Sequence, residues 1–305
     1  MKRILVCLSL ESSDQNLISY ISNLGGVLND SELHLVHVIS KRPYNVSIPE
    51  LEEMYDIAGD GFDADDLRRH TIKMGLKSAE TGISAVLKGS LSAEILRYIH
   101  NENIDLVFLG KRFHDHGSGH LATQLASRST ASLWIVPHIE VSRLHHVLLA
   151  TDFSRSSQNA YQCAAMLKSY FPDFRELSII SSYSVPAGYF KTGLTFDQMS
   201  EKLFDATEKG LKGWLSEQNM IKGVSMHPIV ALEERSTAGA IITAAEEKNV
   251  DLIVMGSRGH SALTAFLVGS TTEEVLRKNH RFPVYVARNT EEGERRLLKE
   301  LFKIE

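Results

Sequence analysis

Short apolar runs alternate along this chain with segments whose apolar residues recur at every third or fourth position. Runs such as residues 4–8 and 252–255 have the length and continuous apolar character of strands buried in a parallel sheet. The spacing of Leu17, Ile21 and Leu24 is typical of one face of an amphipathic helix. Strands that alternate with helices in this way predict a parallel sheet covered by helices on both faces.

The same pattern occurs twice in the chain. Residues 103–110 read NIDLVFLG, and residues 249–256 read NVDLIVMG. The opening runs of the two halves, residues 3–8 and 146–151, correspond in the same way. Because the repeat period is about half of the chain, the sequence predicts two tandem copies of one α/β unit.

The two copies are predicted to span residues 1–140 and 141–290, and a charged tail follows at 291–305. Apolar residues at helical spacing in the tail predict a helix docked on the protein. A long polar stretch at 40–66 contains prolines and glycines, which predicts a mobile flap or an insertion. The predicted strands are 4–8, 32–39, 83–87, 105–109 and 133–136 in the first copy, and 147–151, 177–181, 226–231, 252–255 and 283–286 in the second.

Glycines follow the fourth strand of the second copy in a regular pattern. Gly256 ends the strand, Gly259 lies two intervening residues on, and nine residues lead to Gly269 and Ser270, where helical periodicity begins. Glycine lets a backbone approach an anion closely, and the N–H groups at a helix start attract negative charge. The pattern therefore indicates a phosphate site. The alternative is an ordinary helix start, because Ser270 and Glu273 have the spacing of a capping box.

The whole string G-x2-G-x9-G-S, entered from DLIVMG and left through a helix into PVYV, closely resembles the nucleotide loop of the universal stress protein family. The resemblance covers both copies. It implies two tandem doubly wound five-stranded parallel sheets with strand order 3-2-1-4-5, the adenine nucleotide alpha hydrolase-like fold. It also implies ATP as the ligand, with Mg²⁺ as a candidate companion ion. The nucleotide-binding residues that it implies are Thr151, Asp152, Met255, Gly256, Arg258, Gly259, Gly269, Ser270 and Thr271.

Within that resemblance, Asp152 holds the nucleoside, and the glycines with the following hydroxyl residue hold the phosphates. The alternative for Asp152 is a turn cap, beside the capping serines that follow it. Two departures from the family weaken adenine specificity and the phosphate contacts. Residues 181–183 read SSY where the family often has valine, and residues 231–235 replace a family glycine. Arg235, in this second segment, is either a phosphate contact or a solvated charge.

The first copy departs further from the family. Ser9 stands where the second copy has Asp152, and six residues separate Gly110 from Gly117 where twelve separate Gly256 from Gly269. Six missing residues remove about 20 Å of extended reach. We therefore expect nucleotide in the second copy alone. The alternative is that the shorter loop still binds an anion through its glycines.

Other chemistry finds less support in the sequence. His114, His116 and His120 lack a carboxylate or cysteine partner at a known ligand spacing, so no metal site is assigned. Cys7 and Cys163 have no metal or redox spacing and are predicted to be buried thiols. Neither a nucleophile–base pair nor paired carboxylates surround the glycine pattern, so no catalytic residue is assigned and any hydrolysis is expected to be slow.

The composition of the chain indicates which classes of partner it can bind. The net charge of −5 is spread along the chain and argues against a nucleic-acid partner. No apolar run approaches the length of a membrane span, and a cytoplasmic protein is expected. The leading hypothesis is an ATP-binding stress-response regulator with little or no catalysis. The alternatives are a nucleotide hydrolase or adenylyl-transferring enzyme of the same fold group, and a ligand-free dimerisation module.

The two copies are expected to form an intramolecular pseudo-dimer through residues 133–136 and 284–286. These apolar runs are predicted edge strands, which must be paired or covered. Homodimerisation of the whole chain is left open.

Overall fold

The computed structural model describes residues 2–11, 13–24, 31–39, 62–111, 118–138, 144–234, 236–257 and 268–288. These residues belong to two compact units, 2–138 and 144–288. The polar stretch at 40–61, the loops at 112–117 and 258–267, and the tail from 289 lie outside the described residues. The interpretations of a flap, of the histidine loop and of a docked tail helix therefore stay predictions.

The first unit is a parallel sheet whose strands follow the spatial order β3-β2-β1-β4-β5. A short 3-10 turn, Lys77–Glu80, precedes β3. Its strands and helices are β1 (Lys2–Leu8), α1 (Asp14–Asn23), β2 (Ser31–Ile39), α2 (Ala64–Lys73), β3 (Ile83–Lys88), α3 (Leu91–Asn101), β4 (Leu106–Lys111), α4 (Ser118–Arg128) and β5 (Ser132–Pro137).

The second unit repeats this arrangement, with the spatial order β8-β7-β6-β9-β10 and every pair parallel. A 3-10 turn, Tyr189–Thr192, precedes its longest helix. Its strands and helices are β6 (His146–Ala150), α5 (Arg155–Tyr170), β7 (Glu176–Tyr183), α6 (Phe196–Ser216), β8 (Ser225–Leu232), α7 (Thr237–Glu247), β9 (Leu252–Gly256), α8 (Ser270–Lys278) and β10 (Val284–Ala287).

The predicted fold class, two tandem doubly wound parallel sheets, is confirmed. Within each unit the strands take the order 3-2-1-4-5 when they are numbered from the start of that copy. The central strands β6 and β9 are almost wholly buried, and β1 is buried over Ile4, Leu5 and Val6, which explains their apolar sequence. The outer strands β3 and β8 are half-exposed. In each unit the strand order reverses beside the first strand, where such folds place their ligands.

The internal repeat extends to unusual backbone conformations. Leu10 and Phe153, two and three residues after the first strands of their copies, both have a φ of 64°. Asn103 and Asn249, before the fourth strands, have φ of 50° and 47°. Residues with side chains rarely adopt positive φ. Their occurrence at matching places shows that the two copies share local geometry as well as topology.

Two expectations from the sequence are wrong. The polar stretch predicted to reach residue 66 ends earlier, because α2 begins at Ala64. The side chain of Asp63 caps α2 by accepting hydrogen bonds from the N–H groups of Asp65 and Asp66. Cys163 is half-buried rather than buried, and Cys7 is half-buried as a residue although the fold encloses its thiol; neither is in a disulfide. Among the residues described, no helix is long and apolar enough to cross a membrane.

Candidate functional site

A cavity of about 290 Å³ lies in the second unit, at the carboxyl ends of β6, β7 and β9. The first turns of α5, α7 and α8 close its sides, so it occupies the point where the strand order reverses. The residues that line it are Ala150, Thr151, Asp152, Ser157, Ile180, Ser182, Thr237, Ile241, Met255, Gly256, Gly269, Ser270, Thr271 and Thr272.

Every predicted site residue that the structure describes lines this one cavity. Arg258, Gly259 and Arg235 lie outside the described residues. The predicted residues that the fold brings together are Thr151, Asp152, Met255, Gly256, Gly269, Ser270 and Thr271.

Asp152 lies in the turn between β6 and α5, with its side chain exposed at the cavity. Its Oδ1 accepts a hydrogen bond of 2.6 Å from the hydroxyl of Ser157 and one of 3.1 Å from the N–H of Ser154. Ser154 in turn caps α5 by accepting from the N–H of Ser157 at 3.2 Å. The turn-cap interpretation of Asp152 is therefore confirmed. The carboxylate also lines the cavity, so its hydrogen bonds within the turn do not prevent it from contacting a ligand.

The start of α8 forms the wall of the cavity beside β9. The predicted capping box of Ser270 with Glu273 is wrong, since the helix begins at Ser270 and its cap is Gly269, without a side-chain cap bond. The N–H of Gly269 donates to the carbonyl of Ser257 at 2.9 Å. No acceptor among the described residues is bonded to the N–H groups of Ser270 and Thr271. These donors and the helix dipole make this end of the cavity attractive to anions.

The hydroxyl of Thr272 fixes this helix start to the sheet. It donates a buried hydrogen bond of 2.8 Å to the carbonyl of Gly256. Thr272 is 3% exposed, so the bond is shielded from water. The first turn of α8 is therefore held in position before any ligand arrives.

Gly256 is required for a different reason from the one that the sequence suggested. A Cβ at this position would lie 2.9 Å from the carbonyl carbon and oxygen of Ser156, in the first turn of α5. The absence of a side chain thus serves the close packing of α5 against the end of β9. The matching Gly110 in the first unit has room, since a Cβ there would lie 3.9 Å from the side chain of Leu17.

The sequence analysis missed several residues that line the cavity. Ile180 and Ile241 have the apolar pattern of core residues, and nothing local distinguishes them. Ser182 appeared only as a departure from the family, although its position at the end of a predicted strand was a usable signal. The missed residues are Ala150, Ser157, Ile180, Ser182, Thr237, Ile241 and Thr272.

A carboxylate lies behind two of these hydroxyl residues. Oε1 of Glu233 accepts hydrogen bonds of 2.6 Å from Ser182 and 2.8 Å from Thr237. Glu233 follows β8, in the segment that replaces the glycine expected from the family. The equivalent place in the first unit holds Gly89, which has a φ of 156°.

The matching edge of the first unit has different chemistry. The carboxylate of Asp14 is turned inward, and accepts from the N–H groups of Ser9 and Leu10 at 2.8 and 2.7 Å. Lys111, at the end of β4, is buried, and burial lowers its pKa to about 8. A buried lysine thus occupies the place that Ser257 takes at the end of β9, so the two copies do not present the same groups.

The cavity combines an apolar floor with hydroxyl groups and one carboxylate. Within its described lining there is no lysine, arginine, histidine or cysteine, and therefore no nucleophile–base pair of the usual kinds. No group of three metal-ligating side chains occurs in the described parts of the chain. His114, His116 and the side chain of His120 lie outside the described residues. The hydroxyls and the carboxylate of the lining supply hydrogen-bonding groups for a polar ligand.

A family model described as the universal stress protein family matches this chain twice, at residues 1–137 and 143–288. Each match covers one of the two described units. The two copies found in the sequence are thus two copies of the same family domain.

Individual relatives agree with this match. Universal stress protein MJ0531 of Methanocaldococcus jannaschii is 30% identical over 146 residues, 47% of this chain and 81% of that protein. Universal stress protein MJ0577 of the same organism is 44% identical over 48 residues, 16% of this chain and 29% of that protein. The crystal structure of a universal stress protein from Archaeoglobus fulgidus DSM 4304 has a TM-score of 0.64 and 21% identity, and covers 95% of this chain and 97% of its own.

Proposed function

This chain belongs to the universal stress protein family, and we propose that it is an ATP-binding regulator of the stress response that holds the nucleotide in its second unit. The observation that carries the proposal is the polarity of the cavity. One end has the N–H groups that begin α8, the other has the hydroxyls of β7 and α7, and the carboxylate of Asp152 follows β6 between them. A nucleotide has the same two-ended character.

The two ends are separated by a suitable distance. β7 and β9 lie on opposite sides of β6 in the sheet. Neighbouring strands are 4.7–4.9 Å apart, so these two ends lie about 10 Å apart along the sheet edge. The phosphates are expected at Gly269, Ser270 and Thr271, where the N–H groups begin α8. The nucleoside is expected toward Asp152 and Ser182, which agrees with the role that the family resemblance implies for Asp152.

The residues fit ATP without a dedicated metal cage. Mg²⁺ usually keeps several waters and binds through substrate phosphates, so a companion Mg²⁺ would require few ligands from this chain. The hydroxyls of Ser270 and Thr271 are the nearest candidates for phosphate contacts. Asp152, the one carboxylate in the described lining, is already bonded to Ser157 and Ser154 within its turn, and we propose a role in binding and signalling, with hydrolysis slow or absent.

The experiment that tests this function is titration of ATP into the full chain by calorimetry, with and without Mg²⁺. Gly269→Val places bulk where Gly269 lines the cavity and caps α8. Loss of N–H contacts to a charged phosphate is expected to weaken binding about 5- to 150-fold for each contact.

Gly188→Val in the same unit is the matched control, because a Cβ at Gly188 would meet nothing within 4 Å. It should bind ATP like the wild type. Unchanged affinity in a folded Gly269→Val protein would place the site elsewhere. A wild type that binds no nucleotide would favour the ligand-free dimerisation module. The intramolecular pseudo-dimer, further dimerisation and a cytoplasmic location stay predictions.

A further inference from the structure

Two hydroxyl groups in the cavity wall are bound to the same carboxylate oxygen. Ser182, near the end of β7, and Thr237, the first residue of α7, both donate to Oε1 of Glu233, at 2.6 and 2.8 Å. Glu233 is itself fixed, since its N–H donates to the carbonyl of Tyr183 at 2.8 Å. Both hydroxyl residues line the cavity, whereas Glu233 lies behind them.

This arrangement determines which hydrogen bonds the wall can offer. A hydroxyl has one proton to donate and two lone pairs that accept. An ionised carboxylate accepts only, so each hydroxyl proton is directed toward Glu233. The oxygens of Ser182 and Thr237 therefore face the cavity as acceptors. A ligand group that donates can bond to these two oxygens, whereas a ligand carbonyl finds no donor in either hydroxyl.

We propose that Glu233 is a specificity-determining positioning residue that makes the site select a base with an exocyclic amino group over one with a carbonyl in its place. The inference rests on the proposed nucleotide function and names how the base is read. Adenine has an amino group at C6 where hypoxanthine has a carbonyl, and the neighbouring N1 is protonated only in hypoxanthine. The site should therefore discriminate ATP from ITP, the triphosphate of inosine.

The position of the two hydroxyls in the cavity suits a base. They lie on the β7 and α7 side, about 10 Å along the sheet edge from the start of α8 that attracts phosphates. Ile180 on β7 and Ile241 on α7 flank them and supply apolar surface for a flat ring. The carboxylate of Glu233 lies on this side of the cavity, behind Ser182 and Thr237, which opposes the reverse orientation of a triphosphate.

The discrimination follows from unpaired polar groups. When a carbonyl replaces the amino group, it faces two acceptor oxygens, and no hydrogen bond forms. An unsatisfied polar group in a site built for its partner corresponds to about a 5- to 150-fold loss of affinity. We expect the wild type to bind ATP at least about 10-fold more tightly than ITP.

The test is calorimetric titration of ATP and ITP into the full chain for the wild type, Glu233→Gln and Glu234→Gln. The amide of Glu233→Gln has its own donor, which frees the hydroxyl protons to turn toward the cavity. We expect the ATP-to-ITP preference to fall to about 3-fold or less. Glu234 is exposed and adjacent in sequence, so Glu234→Gln should keep the wild-type preference.

A second variant, Thr237→Val, tests the inference independently of whether Glu233→Gln folds. Thr237→Val removes one acceptor with little change in shape and should lower the preference by about half on a logarithmic scale. An unchanged preference in Glu233→Gln and Thr237→Val overturns the inference while leaving ATP binding intact. Equal wild-type affinities for ATP and ITP overturn it as well. A wild type that binds neither nucleotide overturns the proposed function, and the inference with it.

Discussion

The hydroxyl of Ser157 donates a hydrogen bond of 2.6 Å to Oδ1 of Asp152. In the first unit the two residue types are exchanged, so that Ser9 follows the strand and Asp14 begins the helix, and Ser9 donates to Oδ1 of Asp14 at 2.8 Å. Asp152 is exposed at the cavity, whereas Asp14 is 4% exposed. Because the two residue types are exchanged, the carboxylate faces the cavity in the second copy and is enclosed by the turn in the first.

The exchanged pairs should respond differently to substitution. Asp152→Ala is expected to weaken ATP binding about 10- to 150-fold, the range for a hydrogen bond to a charged group, and calorimetry measures it. Asp14→Ala should leave ATP affinity unchanged. It should instead lower the free energy of unfolding of the first unit by about 3 kcal/mol, because the N–H groups of Ser9 and Leu10 lose a buried acceptor. Equal losses of ATP affinity in both variants would contradict these separate roles.

The two matching glycines should differ in their tolerance of alanine. Gly256→Ala is expected to lower the free energy of unfolding of the second unit by about 1–3 kcal/mol, because its Cβ would overlap the backbone of Ser156. Gly110→Ala should change stability by less than about 1 kcal/mol, since the space is open. Denaturant titration followed by fluorescence separates them, with Trp134 reporting the first unit and Trp214 the second. Equal destabilisation would mean that the contact with Ser156 is unimportant.

Nucleotide binding should be asymmetric between the copies. The second unit has the cavity with Asp152 and the start of α8, whereas the first has Ser9, an inward Asp14 and a buried Lys111. Calorimetry of the full chain should therefore give one ATP bound per chain. Gly269→Val should remove that single event. Two equivalent events per chain, or a remaining saturable site in Gly269→Val, would show that the first copy also binds.

Lys111 should give the first unit a recognisable pH dependence. In the unfolded chain its amine keeps its proton up to about pH 10.5, whereas burial lowers the folded pKa to about 8. Between pH 8 and 10.5, unfolding therefore takes up a proton at Lys111. The free energy of unfolding should rise by up to about 3 kcal/mol as the pH increases over this range.

Lys111→Met should lack this rise when Trp134 fluorescence is followed in a Trp214→Phe background. Burial first, and the Asp14 carboxylate second, raise the pKa of the Cys7 thiol, which destabilises the fold above pH 9.0. The Cys7 contribution is the same in the wild type and in Lys111→Met, so it cancels when one pH profile is subtracted from the other. Parallel pH profiles for the wild type and Lys111→Met would contradict a lowered pKa for Lys111.

Much of the architecture follows from local and periodic features of the sequence. The continuous apolar character of residues 252–255 predicted a buried central strand, and the helical spacing of Leu17 and Leu24 predicted α1, because burial imposes these patterns on any sequence. The repeat predicted two copies. The resemblance to the universal stress protein family added the strand order and the residues that line the cavity.

The tertiary structure decided what depends on contacts between distant residues. Gly256 packs against Ser156, and Ser182 is bound to Glu233 across 51 positions of the chain, so no local pattern contains either contact. The helix start at Ser270 was predicted correctly, but its cap was not, because capping depends on backbone geometry as well as residue type. The sequence by itself thus determined the framework and the edge of the sheet at which we propose the ligand site. Only the folded chain determined which side chains meet there and how their hydrogen bonds are directed.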